Sequence, residues 1–167
     1  MSELEFLSPD RTRPEGGFEP IYRSPLERAL RDAPPGVRDL SRRGKLEVRG
    51  DLDGAGMPGG AEVVRLTPHR ALVLCRPEEL HSLGAELRER FDSVVDLTGA
   101  LAGLQVQGEQ LLRRLTDLDL AALPAAGEVA RVRAIVLRDG EDFQLFFPQE
   151  YGTYVVEVVL DALRGLA

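Results

Sequence analysis

GVRDLSRRGKLEVRG (36–50) and SVVDLTGALAGLQVQG (93–108) say much the same thing twice. Self-similarity within one chain marks a fold built from related units. Each copy opens on a strand-like stretch, VRDLS (37–41) or VVDLT (94–98), and makes a short crossing. Each then runs into an alternating strand closed by glycine, LEVRG (46–50) or LQVQG (104–108).

Outward from this repeat the correspondence continues. EVVRL (62–66), LVLCRP (72–77) and a helix to Phe91 answer VARVRAIVL (129–137), FQLFFP (143–148) and a closing helix over 151–163. The hairpin turns are TPHR (67–70) and RDGED (138–142), the latter with a strong Asp-Gly signal. Leu80, Leu83, Leu87 and Phe91 share one helical face, and Leu111, Leu112, Leu115 and Leu118 form another stripe over 109–118. The expected fold is α+β: two related strand-connection-hairpin-helix halves of ferredoxin-like character. The last helix is apolar on more than one face through Val155, Val156, Val158, Val159 and Leu160, which predicts burial on two sides.

The halves differ where the second inserts EQLLRRLTDLDL (109–120) and the first has only GDLDGAGMPGG (50–60). That stretch contains G-x-G-x-x-G at Gly54, Gly56 and Gly59, but a strand follows where a phosphate site needs a helix N-terminus. Asp51, Asp53, Gly56 and Glu62 match four positions of a calcium loop, yet Ala55 occupies a ligand position and strands flank the stretch. A shortened surface connection standing where a helix is missing is the favoured reading.

SPLERAL (24–30) carries a helix start, with Ser24 as N-cap, Pro25 at the first position and Glu27 completing a capping box. Residues 1–23, rich in proline, glycine and charge, are expected to form an extended or disordered arm, leaving one domain over 24–167. With 167 residues, 43% of them apolar and 29% charged, the chain is long enough to bury a core.

A net charge of -7 repels phosphate backbones, so nucleic acid is not an expected partner. No apolar run has the length of a membrane span, and the opening residues lack the pattern of a secretory signal; a cytoplasmic location is expected. Cys75, alone of its kind, reads as a packed thiol, because nothing ties His69 or His81 to it as a base. One cysteine and two histidines build no usual zinc site, and no metal is expected. Asp39 and Asp96 recur before Ser41 and Thr98. Paired carboxylates serve acid-base chemistry, but fixing the backbone of each crossing is the preferred role. RRGK (42–45) is the densest basic run, suited either to solubility or to an anionic ligand such as a polyglutamyl tail.

GVRDLSRRGKLEVRG and SVVDLTGALAGLQVQGEQLLRRLTDLDL resemble the aminomethyltransferase superfamily, which includes the glycine-cleavage T-protein. In length and layout, SPLERAL, RALVLCRPEEL, VVDLT, LLRRLTDLDL and FQLFFPQEYGTYVVEVVLDAL are more similar to the gamma subunit of heterotetrameric sarcosine oxidase. The resemblance covers about residues 24–163. Where the T-protein carries a glycine-rich segment with its catalytic acid, RAIVLRDGED (133–142) closes as a tight turn, and Cys75 sits in LCRP instead of a K-G-C-Y-type motif. No catalytic residue carries over.

The resemblance therefore implies a noncatalytic subunit docked on a larger oxidase subunit, or on a second copy, through the apolar C-terminal helix. It leaves tetrahydrofolate open for this chain, with Asp39 and Asp96 as weak binding candidates, and places flavin in partner subunits only. The alternatives are a folate-binding aminomethyltransferase-like protein acting alone, and a stand-alone regulatory domain.

Overall fold

Gly50 and Gly108 close the two repeated strands at φ of 143° and 95°, a backbone region that side-chain-bearing residues rarely enter. That shared closure lets each strand leave its sheet abruptly. The structure, a computed structural model, describes residues 23–57 and 61–166. The expected arm over 1–23 lies outside the described residues except for Arg23, as do Pro58, Gly59 and Gly60.

Among the described residues nine strands and three α-helices follow in order: β1 (Val37–Asp39), β2 (Gly44–Arg49), β3 (Glu62–Thr67), β4 (Arg70–Cys75), α1 (Leu80–Arg88), β5 (Ser93–Asp96), β6 (Leu101–Gln107), α2 (Glu109–Arg113), β7 (Ala125–Val129), β8 (Val132–Asp139), β9 (Asp142–Pro148) and α3 (Gly152–Arg164). They form two antiparallel sheets, ordered β1-β6-β9-β8-β7 and β3-β4-β2-β5. The α+β class and its two related halves are as expected.

The halves exchange their opening strands. β1 of the first half pairs with β6 of the second, Val37 opposite Val106, while β5 of the second pairs with β2 of the first, Leu46 opposite Asp96. Each crossing therefore passes from one sheet to the other.

Four layers result. α1 covers the four-stranded sheet, with Leu83 and Leu87 against Leu46, Val48, Ala71 and Val73. α2 and α3 cover the five-stranded sheet, with Leu111, Leu112, Val155, Val156 and Val159 against Leu104, Val106, Phe143, Leu145 and Phe147. Between the sheets, Val64, Leu72 and Leu74 meet Leu137 and Phe146. β4 is buried from Ala71 to Cys75 because alternate residues serve two cores.

Several elements differ from the sequence reading. SPLERAL forms consecutive turns and no regular helix, although Ser24 Oγ accepts the Leu26 amide at 3.1 Å and the Leu26 carbonyl accepts the Leu30 amide at 2.9 Å. α2 stops at Arg113, because the Thr116 hydroxyl bonds the Glu128 carbonyl and the Leu118 amide, drawing the chain out of helical hydrogen bonding. VARVRAIVL is two strands: Ala130 and Arg131, at φ 50° and 63°, form a two-residue hairpin turn between Val129 and Val132. Asn, Asp or Gly normally announces such a turn, and none is present.

The stretch over 50–57 is a packed connection and not the expected surface one. Leu52 is buried and Ala55 and Met57 lie against the α1-side core, filling the position that α2 holds on the other sheet. Most of the broad apolar surface of α3 is taken up by its own sheet, leaving Tyr151 and Tyr154 exposed. Among the described residues no helix is long and apolar enough to cross a membrane.

Candidate functional site

The chemistry-bearing residues of the repeat converge where the two crossings pass each other. Asp39 Oδ1 accepts the Ser41 amide at 2.8 Å, and Asp96 Oδ1 accepts the Thr98 amide at 2.8 Å. These are Asx turns, in which a carboxylate satisfies the backbone two residues on. Across the junction the Leu40 amide donates to the Gly103 carbonyl, and the Leu97 amide to the Lys45 carbonyl, both at 2.8 Å. The Gly103 amide donates to Ser41 Oγ at 3.1 Å, and the Lys45 amide to Thr98 Oγ1 at 3.0 Å. Ser24 Oγ donates to Asp39 Oδ2, tying the lead-in segment to the same junction.

The two copies part at Lys45 and Gly103. A Cβ at Gly103 would stand 2.9 Å from the Leu40 backbone, so that position is glycine by close approach. At the equivalent position Lys45 is fully buried, and its Nζ donates to the carbonyls of Ser41 at 2.9 Å and Arg43 at 2.6 Å. Burial pushes the amine down to about 8, against the pull of Asp96 and Asp39 toward the charged form. The structure thus sets both sequence-singled aspartates around one buried ammonium.

Arg43 bridges the sheets, donating to Gln144 Oε1 at 2.6 Å and to Glu62 Oε2 at 2.5 Å. Beside it a cleft of about 590 Å³ is lined by Leu40, Arg42, Arg43, Cys75, Arg76 and Glu79. Cys75 is buried against the α1 core, and burial raises its thiol above the ordinary range, the opposite of what a nucleophile needs.

The calcium-like residues do not converge. Asp51 Oδ1 accepts the amides of Asp53 and Gly54 at 3.1 and 2.9 Å, Asp53 pairs with Arg65 at 2.5 Å, and Glu62 is engaged by Arg43. Among the described residues no group of three or more His, Cys, Asp or Glu is arranged to hold a metal.

A second polar cluster escaped sequence reading. Glu47 is buried opposite Leu72 on the face turned to the other sheet, and its carboxylate is held by Arg49 Nε at 2.8 Å and by Arg70 Nη2. Burial works to raise its pKa, but the hydrogen bonds from Arg70 and Arg49 prevail and lower it. The only trace in sequence is the alternation of LEVR, which places Glu47 opposite Leu46 and Val48 in facing without saying what that face meets.

This architecture is shared with solved structures. The chain is similar to a chain of heterotetrameric sarcosine oxidase from Corynebacterium sp. U-96, at 18% identity and TM-score 0.68, over 86% of this chain and 95% of that one. It is also similar to aminomethyltransferase T of the glycine cleavage system from Bartonella henselae, at 19% identity and TM-score 0.59 over 84% of this chain, and spans 49% of that protein. A chain of an aspartokinase alpha and beta subunit structure matches at 13% identity and TM-score 0.52, over 77% of this chain and 97% of that one. At these identities the likeness is one of fold. No protein-family model matches the sequence, and no curated protein sequence does.

Proposed function

We propose that the chain is a noncatalytic, gamma-type accessory subunit of a heterotetrameric, sarcosine oxidase-like amine-oxidising complex. The observation that carries this reading is the extent of the match: the chain spans 95% of a sarcosine oxidase chain at TM-score 0.68, against about half of aminomethyltransferase T. The junction supports it, since Asp39 and Asp96 are spent on backbone turns and Lys45 and Cys75 are buried. Flavin belongs to the larger subunits in this reading. The surface offered to the larger subunit is the outer side of α3 and the turn that leads into it, where Tyr154 and Tyr151 are 45% and 47% exposed.

Affinity purification of the tagged chain from its native cells tests the proposal. Recovery of a stoichiometric larger flavin-containing subunit is expected, reduced by Tyr151→Asp; recovery of the chain alone as a monomer would overturn it.

The likeness to aminomethyltransferase T favours a second reading, a folate-binding protein acting alone with Asp39 and Asp96 at the ligand. Titration calorimetry with tetrahydrofolate separates the two. Binding heat lost in Asp96→Asn would favour the second, and no heat from the isolated chain would remove it.

A further inference from the structure

The two copies of the repeat leave two recesses beside the crossings, one at Leu40 and one at Leu97, and the recesses differ in chemistry. At Leu40 the recess is bridged by the Arg43–Glu62 ion pair. At Leu97 the position equivalent to Arg43 is Leu101, and the ion pair of this recess, Arg70–Glu47, lies in its wall. A cavity of about 230 Å³ remains between the sheets, walled by Leu66, Leu97, Leu101, Ile135 and Phe146. By the volume of liquid water it has room for about eight water molecules, the scale of a small organic molecule.

The wall also carries charge. Glu47, Arg70 and Arg133 also line the cavity. Glu47 is satisfied by Arg49 and Arg70. Arg70 Nε is buried with no hydrogen-bond partner among the described residues. The Arg133 guanidinium has no hydrogen bond or ion pair among the described residues. Among the lining residues two guanidinium groups, Arg70 and Arg133, stand against the one carboxylate of Glu47, an excess of one positive charge. An unsatisfied buried donor costs about 1–3 kcal/mol, so a ligand that satisfies it gains affinity there. A guanidinium favours a planar carboxylate, and the leucine, isoleucine and phenylalanine wall favours an apolar body.

We propose that this intersheet cavity is a binding site for a small organic monocarboxylate, its carboxylate held by Arg133 and by the Nε of Arg70, its apolar body against Leu101, Ile135 and Phe146. The site depends on the fold alone and stands whether or not the chain is an oxidase subunit.

The test is titration of the full-length protein with benzoate and with isovalerate, followed by ¹⁵N-resolved NMR, with benzyl alcohol as the neutral counterpart of benzoate. At least one carboxylate is expected to bind with a Kd of about 1 mM or tighter, shifting the amides of Leu97, Leu101, Ile135 and Phe146. Benzyl alcohol is expected to bind at least about tenfold more weakly. Arg133→Gln, at an exposed position, is expected to weaken the carboxylate by about tenfold or more while leaving the thermal melt unchanged. The proposal is overturned if neither carboxylate shifts those amides at about ten times that concentration, if benzyl alcohol binds as well as benzoate, or if Arg133→Gln binds with full affinity.

Discussion

Lys45 and Glu47 stand two residues apart on β2, both buried on the face turned to the second sheet, and they answer burial in opposite ways. Lys45 has neighbouring carboxylates but only carbonyl oxygens as hydrogen-bond partners for Nζ, and its pKa falls from 10.5 to about 8. Between those values the unfolded chain holds a proton that the folded chain has released. Stability therefore rises with pH from about 8 to 10.5 and is flat in this respect below 8. Urea unfolding at about pH 7 and about pH 10 is expected to show the wild type gaining on the order of 1–3 kcal/mol relative to Lys45→Met. Equal pH dependence in the two proteins would refute the assignment. Glu47 is held charged by its arginine hydrogen bonds, so its contribution is present above its unfolded pKa of 4.5 and lost as pH falls through the lower folded value. Glu47→Gln should cost about 1–3 kcal/mol at neutral pH and flatten the acid limb of the stability curve.

At the scale of elements, the β7–β8 hairpin shows local preference overruled by context. Ala130 and Arg131 sit in the left-handed region, where a side chain costs about 1–2 kcal/mol. The turn persists because the Ala130 amide bonds the Leu115 carbonyl at 2.7 Å and the Tyr154 hydroxyl donates to the Ala130 carbonyl at 3.1 Å. Replacing exposed Arg131 with glycine is expected to raise stability by roughly 0.5–1 kcal/mol, read from chemical denaturation; a loss would show that the conformation is not strained. The connection over 50–57 makes the reverse point: it resembles a ligand loop in sequence and behaves as core. Leu52→Ala is expected to cost about 2–4 kcal/mol, whereas a solvent-exposed loop residue would cost less than about 0.5 kcal/mol.

The whole molecule is held together by the exchange of β1 and β5 between halves. Neither half contains both the strands and the crossing partners it needs: β6 lacks β1, and β2 lacks β5. A fragment of residues 23–92 is accordingly expected to be unfolded by NMR dispersion, and the intact chain to unfold in one cooperative step. A folded isolated half would contradict this account.

Most strands of both halves, the helices α1 and α3, and the turn-fixing geometry of Asp39 and Asp96 were legible because they depend on spacing of one to four residues, whereas the fate of SPLERAL and the end of α2 were not. The turn at Ala130 was not, since its conformation is imposed by Leu115 and Tyr154 from other elements. By itself the sequence determined that Lys45, Glu47 and Arg49 share one face of a strand and Leu46 and Val48 the other, a consequence of the two-residue strand period. Only the tertiary structure decided that the charged face turns toward a second sheet. What covers a face is set by pairing between segments such as Leu46 and Asp96, fifty residues apart in sequence, and no local pattern encodes that distance.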